Sequence, residues 1–220
     1  AGAFLLLAGL ATILPPDRPA RERRPPFQAP ERVMAAPCSV LLATALGYGV
    51  LGTYTTQEAL ALGSPAPWAF LTFMAVGMVG MRVVMSVAGF DTQPVRRLPS
   101  MLWLACAGLL VLALAPTGLP RHVLSALLYG AGYSMVHTLI NTYVLETVHP
   151  ERRGAAFGAT LFSFDAGISL GSLLIGGVIG WAERRYGAAG FRLGWAISAL
   201  MALAAVPLSY RLVRRVDRQS

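Results

Sequence analysis

His149-Pro-Glu-Arg-Arg-Gly-Ala-Ala-Phe-Gly158 is a polar turn set between two apolar runs, each long enough to cross a bilayer. Pro150 and the pair Arg152-Arg153 stop the run before it, and a glycine-punctuated helix opens after it. About eleven residues into that second helix stands an acid, Asp165. A chain that leaves a bilayer, turns on arginines and re-enters reads this way, and the rest of the sequence follows the same pattern.

Of the 220 residues, 55% are apolar and 13% charged, whereas soluble domains carry roughly 25% charged residues. The formal net charge is +8, and all 18 basic residues are arginine. An excess of this size can signal a nucleic-acid partner. Here the arginines sit in short loops between apolar runs, so membrane topology accounts for them and no nucleic acid is expected. Cys38 and Cys106 both lie inside apolar segments and read as small core residues rather than a disulfide or metal pair. No metal or cofactor motif occurs.

Residues 1–14 are apolar, lack a basic leader and stop at Pro15-Pro16, so they read as the end of a preceding transmembrane helix. Residues 15–32, rich in Pro and Arg, read as a cytoplasmic linker. Residues 33–212 then hold six apolar segments, approximately Val33–Leu62, Ala66–Gly89, Ser100–Ala115, His122–Val148, Ala155–Ala182 and Gly190–Leu212, and residues 213–220 form a tail. The third segment is shorter than the ~20 residues a span needs, so its ends should take in neighbours. The expected fold is an all-α membrane protein, a six-transmembrane-helix bundle.

Arginines in alternate loops divide thirteen to four. One side holds Arg18, Arg21, Arg23, Arg24, Arg32, Arg96, Arg97, Arg152, Arg153, Arg211, Arg214, Arg215 and Arg218; the other holds Arg121, Arg184, Arg185 and Arg192. The positive-inside rule puts the first side, with the C-terminus, in the cytoplasm of a multi-pass protein of the cell membrane.

Pro150-Glu-Arg-Arg-Gly-Ala-Ala-Phe-Gly158 resembles the loop between the tenth and eleventh helices of the major facilitator superfamily. Phe162-Ser-Phe-Asp165-Ala-Gly167, with Gly176, Gly177 and Gly180, resembles the eleventh helix of its drug- and sugar-efflux-like members. Ala182-Glu-Arg-Arg-Tyr-Gly-Ala-Ala-Gly-Phe191 resembles the outer loop before the last helix. The family pattern Gly-x-x-x-Asp-Arg-x-Gly-Arg-Arg has a degraded echo here: Asp91, Arg96 and Arg97 match, but Val87, Thr92 and Pro94 replace Gly, Arg and Gly. The resemblance implies the C-terminal half of a twelve-helix major facilitator fold. It also implies an N-terminal six-helix half as partner, and proton-coupled efflux of a small organic molecule by alternating access. Gating or structural roles for Arg82, Asp91, Arg96, Arg97, Arg152 and Arg153 follow from the same likeness.

Asp165 falls roughly 16 Å from the start of its helix, near the bilayer middle. A charged Asp there costs about 2.5–3.5 kcal/mol on insertion scales. It reads either as a proton-coupling or substrate-binding carboxylate or as a structural acid bonded to a neighbouring helix. Tyr133, His137 and Asn141 are four apart, so they share one face of the fourth span and read as a cavity lining or as interhelical hydrogen-bonding groups. Arg82 lies roughly 13 Å into the membrane from its nearer loop, where it can snorkel, pair with an acid or bind an anion. Glu58 is expected at the outer surface or an outer gate, His122 and His149 at interfaces, and Glu146 paired with Arg152 or Arg153. Gly167 with Gly171, and Gly176 with Gly180, form small-residue pairs suited to close helix packing. A non-transporting scaffold or receptor is the alternative. An intramembrane enzyme is less favoured, because neither Gly-x-Ser-Gly nor His-Glu-x-x-His occurs.

Overall fold

The computed structural model describes residues 32–88 and 94–217. The expected stub 1–14, the linker up to residue 31, Asp91 and residues 218–220 lie outside the described residues.

The described residues make six helical passes. They are α1 (Ala35–Ala61), α2 (Ala69–Ala88), α3 (Leu98–Leu114), α4 (Leu119–Thr147), a composite fifth pass and a sixth, α7 (Phe191–Asp217). The fifth pass is α5 (Arg153–Leu170) and α6 (Gly176–Tyr186), joined by a π-helical turn at Gly171–Ile175. The first four passes are apolar and long enough to span, and the apolar stretch Pro150–Arg214 contains the last two. At 1.5 Å per residue, the 27 residues of α1 reach about 40 Å, enough to cross with tilt. The short third segment is lengthened by a 3₁₀ turn at Pro94–Arg97.

Gly187 allows the reversal between α6 and α7. Its φ of 60° lies where a Cβ is strained, and a Cβ on Gly190 would strike the backbone of Ala182 and Glu183. The chain therefore folds α7 back along α6 at that point.

Packing runs in an arc: α2 against α4, α4 against α3, α3 against α7, α7 against α1, and α1 against α5. The seams rest on small residues, as expected where lipid supplies no drive for helix association. A Cβ on Gly108 or Gly132 would collide across the α3–α4 seam, and one on Gly77 would meet the Leu127 carbonyl across α2–α4. The α1–α5 seam is equally tight. Gly49 lies against the Ile168 backbone, Gly167 against Ala45 and the Leu42 carbonyl, and Gly171 against the Leu46 backbone. The second expected small-residue pair is only half used: Gly176 sits against Tyr54, but Gly180 faces open space.

The π turn falls on this seam, and polar side chains of α1 serve it. The Ser172 hydroxyl donates to the Gly49 carbonyl at 3.0 Å, and the Tyr54 hydroxyl donates to the Ser172 carbonyl at 3.3 Å. Thr53 Oγ1 donates to the same Gly49 carbonyl at 2.9 Å and lies 3.2 Å from Ser172 Oγ. Interhelical hydrogen bonds in membranes average about 0.6 kcal/mol, with a maximum near 1.7. Ser172→Ala is therefore expected to cost about 0.6 kcal/mol in reversible detergent unfolding. A loss beyond ~2 kcal/mol would mean that the π turn depends on this hydroxyl.

The arc ends at α2 and at the fifth pass, which carry the most exposed apolar surface. Only 22% of the α2 spanning window is buried, against 61% of the α4 window. Val76, Val79, Val83, Val84 and Val87 of α2 are exposed, as are Leu161, Phe162 and Leu173 of the fifth pass.

Candidate functional site

Across the inside of the arc, α1, α4 and α5 bring aromatic side chains together. The Tyr133 ring of α4 lies between two others. Tyr48 of α1 stacks on it at 4.8 Å between centroids, and Tyr129 of α4 at 5.3 Å. Phe164 of α5 touches both sides of the cluster, tilted against Tyr48 at 6.2 Å and edge-on to His137 at 5.4 Å. The Tyr129 hydroxyl donates to the Thr44 carbonyl, tying α4 to α1 at 3.3 Å. The Tyr133 hydroxyl is buried and has no hydrogen-bond partner among the described residues.

One turn beyond Tyr133, His137 lies 3.2 Å by its Nδ1 from Asn141 Nδ2. The four-residue spacing that put Tyr133, His137 and Asn141 on one face thus produces a contiguous set. Their partners Tyr48 and Phe164 come from distant segments. Arg82 of α2 is exposed and interacts electrostatically with His137. It makes no hydrogen bond among the described residues.

Asp165 does not join this cluster. Ser163 and Gly167 are buried on the α1-facing side of α5, and at 3.6 residues per turn Asp165 lies nearly opposite them. It is exposed and has no hydrogen bond or ion pair among the described residues. The reading of a structural acid bonded to a neighbouring helix finds no such bond there.

The larger departure from expectation is at the opposite end of the bundle, which carries the Gly187–Gly190 turn. Glu58 is fully buried rather than at a surface. Its Oε1 pairs with Arg121 NH2, and its Oε2 accepts from Trp195 Nε1 at 3.1 Å. His122 Nε2 lies 3.3 Å from Oε2, within ion-pair range though not aligned as a hydrogen bond. His122, in the first turn of α4, is therefore buried in this network. Arg121 also donates to the Leu112 carbonyl at 2.9 Å, and Arg192 donates to the Ala115 carbonyl at 2.8 Å. Two arginines counted as loop charges thus satisfy carbonyls at the C-terminal end of α3 that have no intrahelical donor.

At the arginine-rich end, Arg153 NH2 donates to the Leu145 carbonyl at 2.7 Å and so caps α4 rather than pairing with Glu146, which is exposed. Arg97 NH1 lies 3.3 Å from the Met85 sulfur, joining the 3₁₀ turn before α3 to α2. Arg96 and Arg152 are exposed at the same end, and each has an interaction partner. Cys106 is buried and Cys38 partly so, and neither is in a disulfide. No metal-ligating group of three occurs among the described residues.

Six apolar passes packed through glycine seams, with a polar aromatic layer at mid-depth, define a multi-pass α-helical membrane protein. The chain matches the Major Facilitator Superfamily over residues 1–172 and belongs to that superfamily, whose members are membrane transporters. No curated protein gives a significant match.

Proposed function

We propose that the chain is the C-terminal six-helix half of a secondary transporter that works by alternating access, exporting a small organic molecule in exchange for protons. The observation that carries this reading is the mid-depth layer. Tyr48, Tyr133, His137 and Phe164 come together from three helices, Asn141 continues the polar face of α4 one turn further, and the charge of Arg82 on a fourth helix acts on His137. Polar and ionisable groups at that depth are costly unless they face a cavity or a partner. Transporters of inverted-repeat architecture place their sites near the midplane, between two bundles that rock.

The exposed apolar faces of α2 and the fifth pass support a second six-helix half as partner, bound across the open side of the arc. The arginine distribution supports a cytoplasmic C-terminus in the cell membrane.

Asp165 is assigned the proton. It is exposed at mid-depth with no hydrogen bond or ion pair among the described residues, so its carboxyl is free to load and release one as the bundle rocks. The full-length protein in liposomes holding a pH-sensitive dye is expected to give proton movement when members of a panel of small organic solutes are added. Asp165→Asn should insert and fold but lose that signal. Solute-evoked proton movement that persists in Asp165→Asn would refute the assignment.

A further inference from the structure

We propose that the mid-depth site takes a small organic anion, its charged group held between Arg82 and His137 and its apolar body against Tyr48 and Phe164. The inference rests on the transporter reading above and names the substrate class of that same site.

Three donor side chains on α2 and α4 have no acceptor among the described residues. Arg82 has five N–H groups and no hydrogen bond among the described residues. Asn141 Nδ2 carries only protons to give, so His137 Nδ1 accepts, and the neutral ring must then hold its proton on Nε2. His137 therefore presents an N–H donor on its other side. The Tyr133 hydroxyl, one turn earlier on the same face, has no partner either.

The acids on the described passes do not answer this charge. Glu58 is engaged with Arg121, Trp195 and His122 at the far end. Asp165 points to the face of α5 opposite its seam with α1. Glu146 is exposed near the end of α4, nine residues beyond His137, Glu183 is exposed near the end of α6, and Asp217 is the last residue of α7. A guanidinium held at this depth without a counter-charge is unfavourable. A bound carboxylate or phosphate satisfies it with charge-assisted bonds in the fork geometry that Arg favours. Tyr48 and Phe164 are each only partly buried, which leaves ring surface beside the donors for an apolar or aromatic body.

The test uses the purified full-length protein and follows its thermal unfolding with four matched probes: benzoate, phenyl phosphate, benzamide and benzylammonium. Benzoate or phenyl phosphate should stabilise it, and which of the two does so decides between a carboxylate and a phosphate. Benzamide and benzylammonium should not. Arg82→Gln is expected to weaken the favoured anion about 10- to 100-fold, from the usual strength of hydrogen bonds to charged groups. Arg82→Lys should recover part of that loss, and the unliganded melting temperature reports on folding.

Stabilisation by benzamide or benzylammonium equal to that by the anions would overturn the proposal. So would an anion affinity unchanged in Arg82→Gln, or no stabilisation by any probe. A lower unliganded melting temperature in Arg82→Gln with no anion binding in the wild type would assign Arg82 to an internal acid instead. Arg82-dependent anion binding without transport of that anion in liposomes would uphold this inference and sink the transporter reading, so the two failures are distinct.

Discussion

Glu58→Ala is expected to destabilise the bundle by about 3–5 kcal/mol, the cost of leaving a buried charge uncompensated. Arg121, 1% exposed at its side chain, would lose its carboxylate and keep only the Leu112 carbonyl. Trp195 Nε1 would lose its acceptor, and His122 its ion partner. The same network joins α1, α4 and α7, so its loss should loosen this end first. Removing both charges behaves differently. Buried ion pairs replaced by apolar residues of similar size are often neutral or better, so Glu58→Leu with Arg121→Met should regain most of the loss. Recovery will be incomplete, because the Leu112 carbonyl and the Trp195 N–H still go without partners. Reversible unfolding of the full-length chain, arranged as a double-mutant cycle, measures this. A Glu58→Ala cost below ~1 kcal/mol would show that water reaches the network.

Gly171→Leu should be the next most damaging change. Added bulk in a well-packed interior costs typically about 1–3 kcal/mol, because neighbours must shift. Here the neighbours are the backbone oxygen and carbons of Leu46, which have no rotamer to change, so the loss should reach or exceed the top of that range. The α1–α5 seam and the π turn would both be displaced. Gly177→Leu, six residues on with nothing near its Cβ position, serves as the control and should be close to neutral. Equal effects at the two sites would mean that the α1–α5 contact is looser than described.

The passes and the turns between them were legible in the sequence because each follows from local composition. The face shared by Tyr133, His137 and Asn141 was legible because it follows from helical spacing alone. The Glu58 network was not, since Arg121 and Trp195 lie 63 and 137 residues away from their acid. One signal was available: an acid near the end of one span, an Arg-His pair at the start of another and a Trp in the first turn or so of a third all fall at the same end. The bearing of Asp165 was hidden for a different reason. A spanning helix is apolar on every side, so hydropathy does not say which side meets protein, and only the α1 seam settles it. The π turn has no local signature beyond its glycine, because it answers to Leu46 across the seam.

The central claim is that the mid-depth layer opens to water from each side of the membrane in turn. Phe164→Cys, which places the thiol in that layer beside Tyr48 and His137, in a full-length chain with Cys38 and Cys106 replaced by serine or alanine, can be treated in sealed vesicles with a membrane-impermeant maleimide applied to one face at a time. Alternating access predicts labelling from both faces. Labelling from neither face, or from one face only, would place residue 164 in a contact that does not open alternately, and would contradict the account.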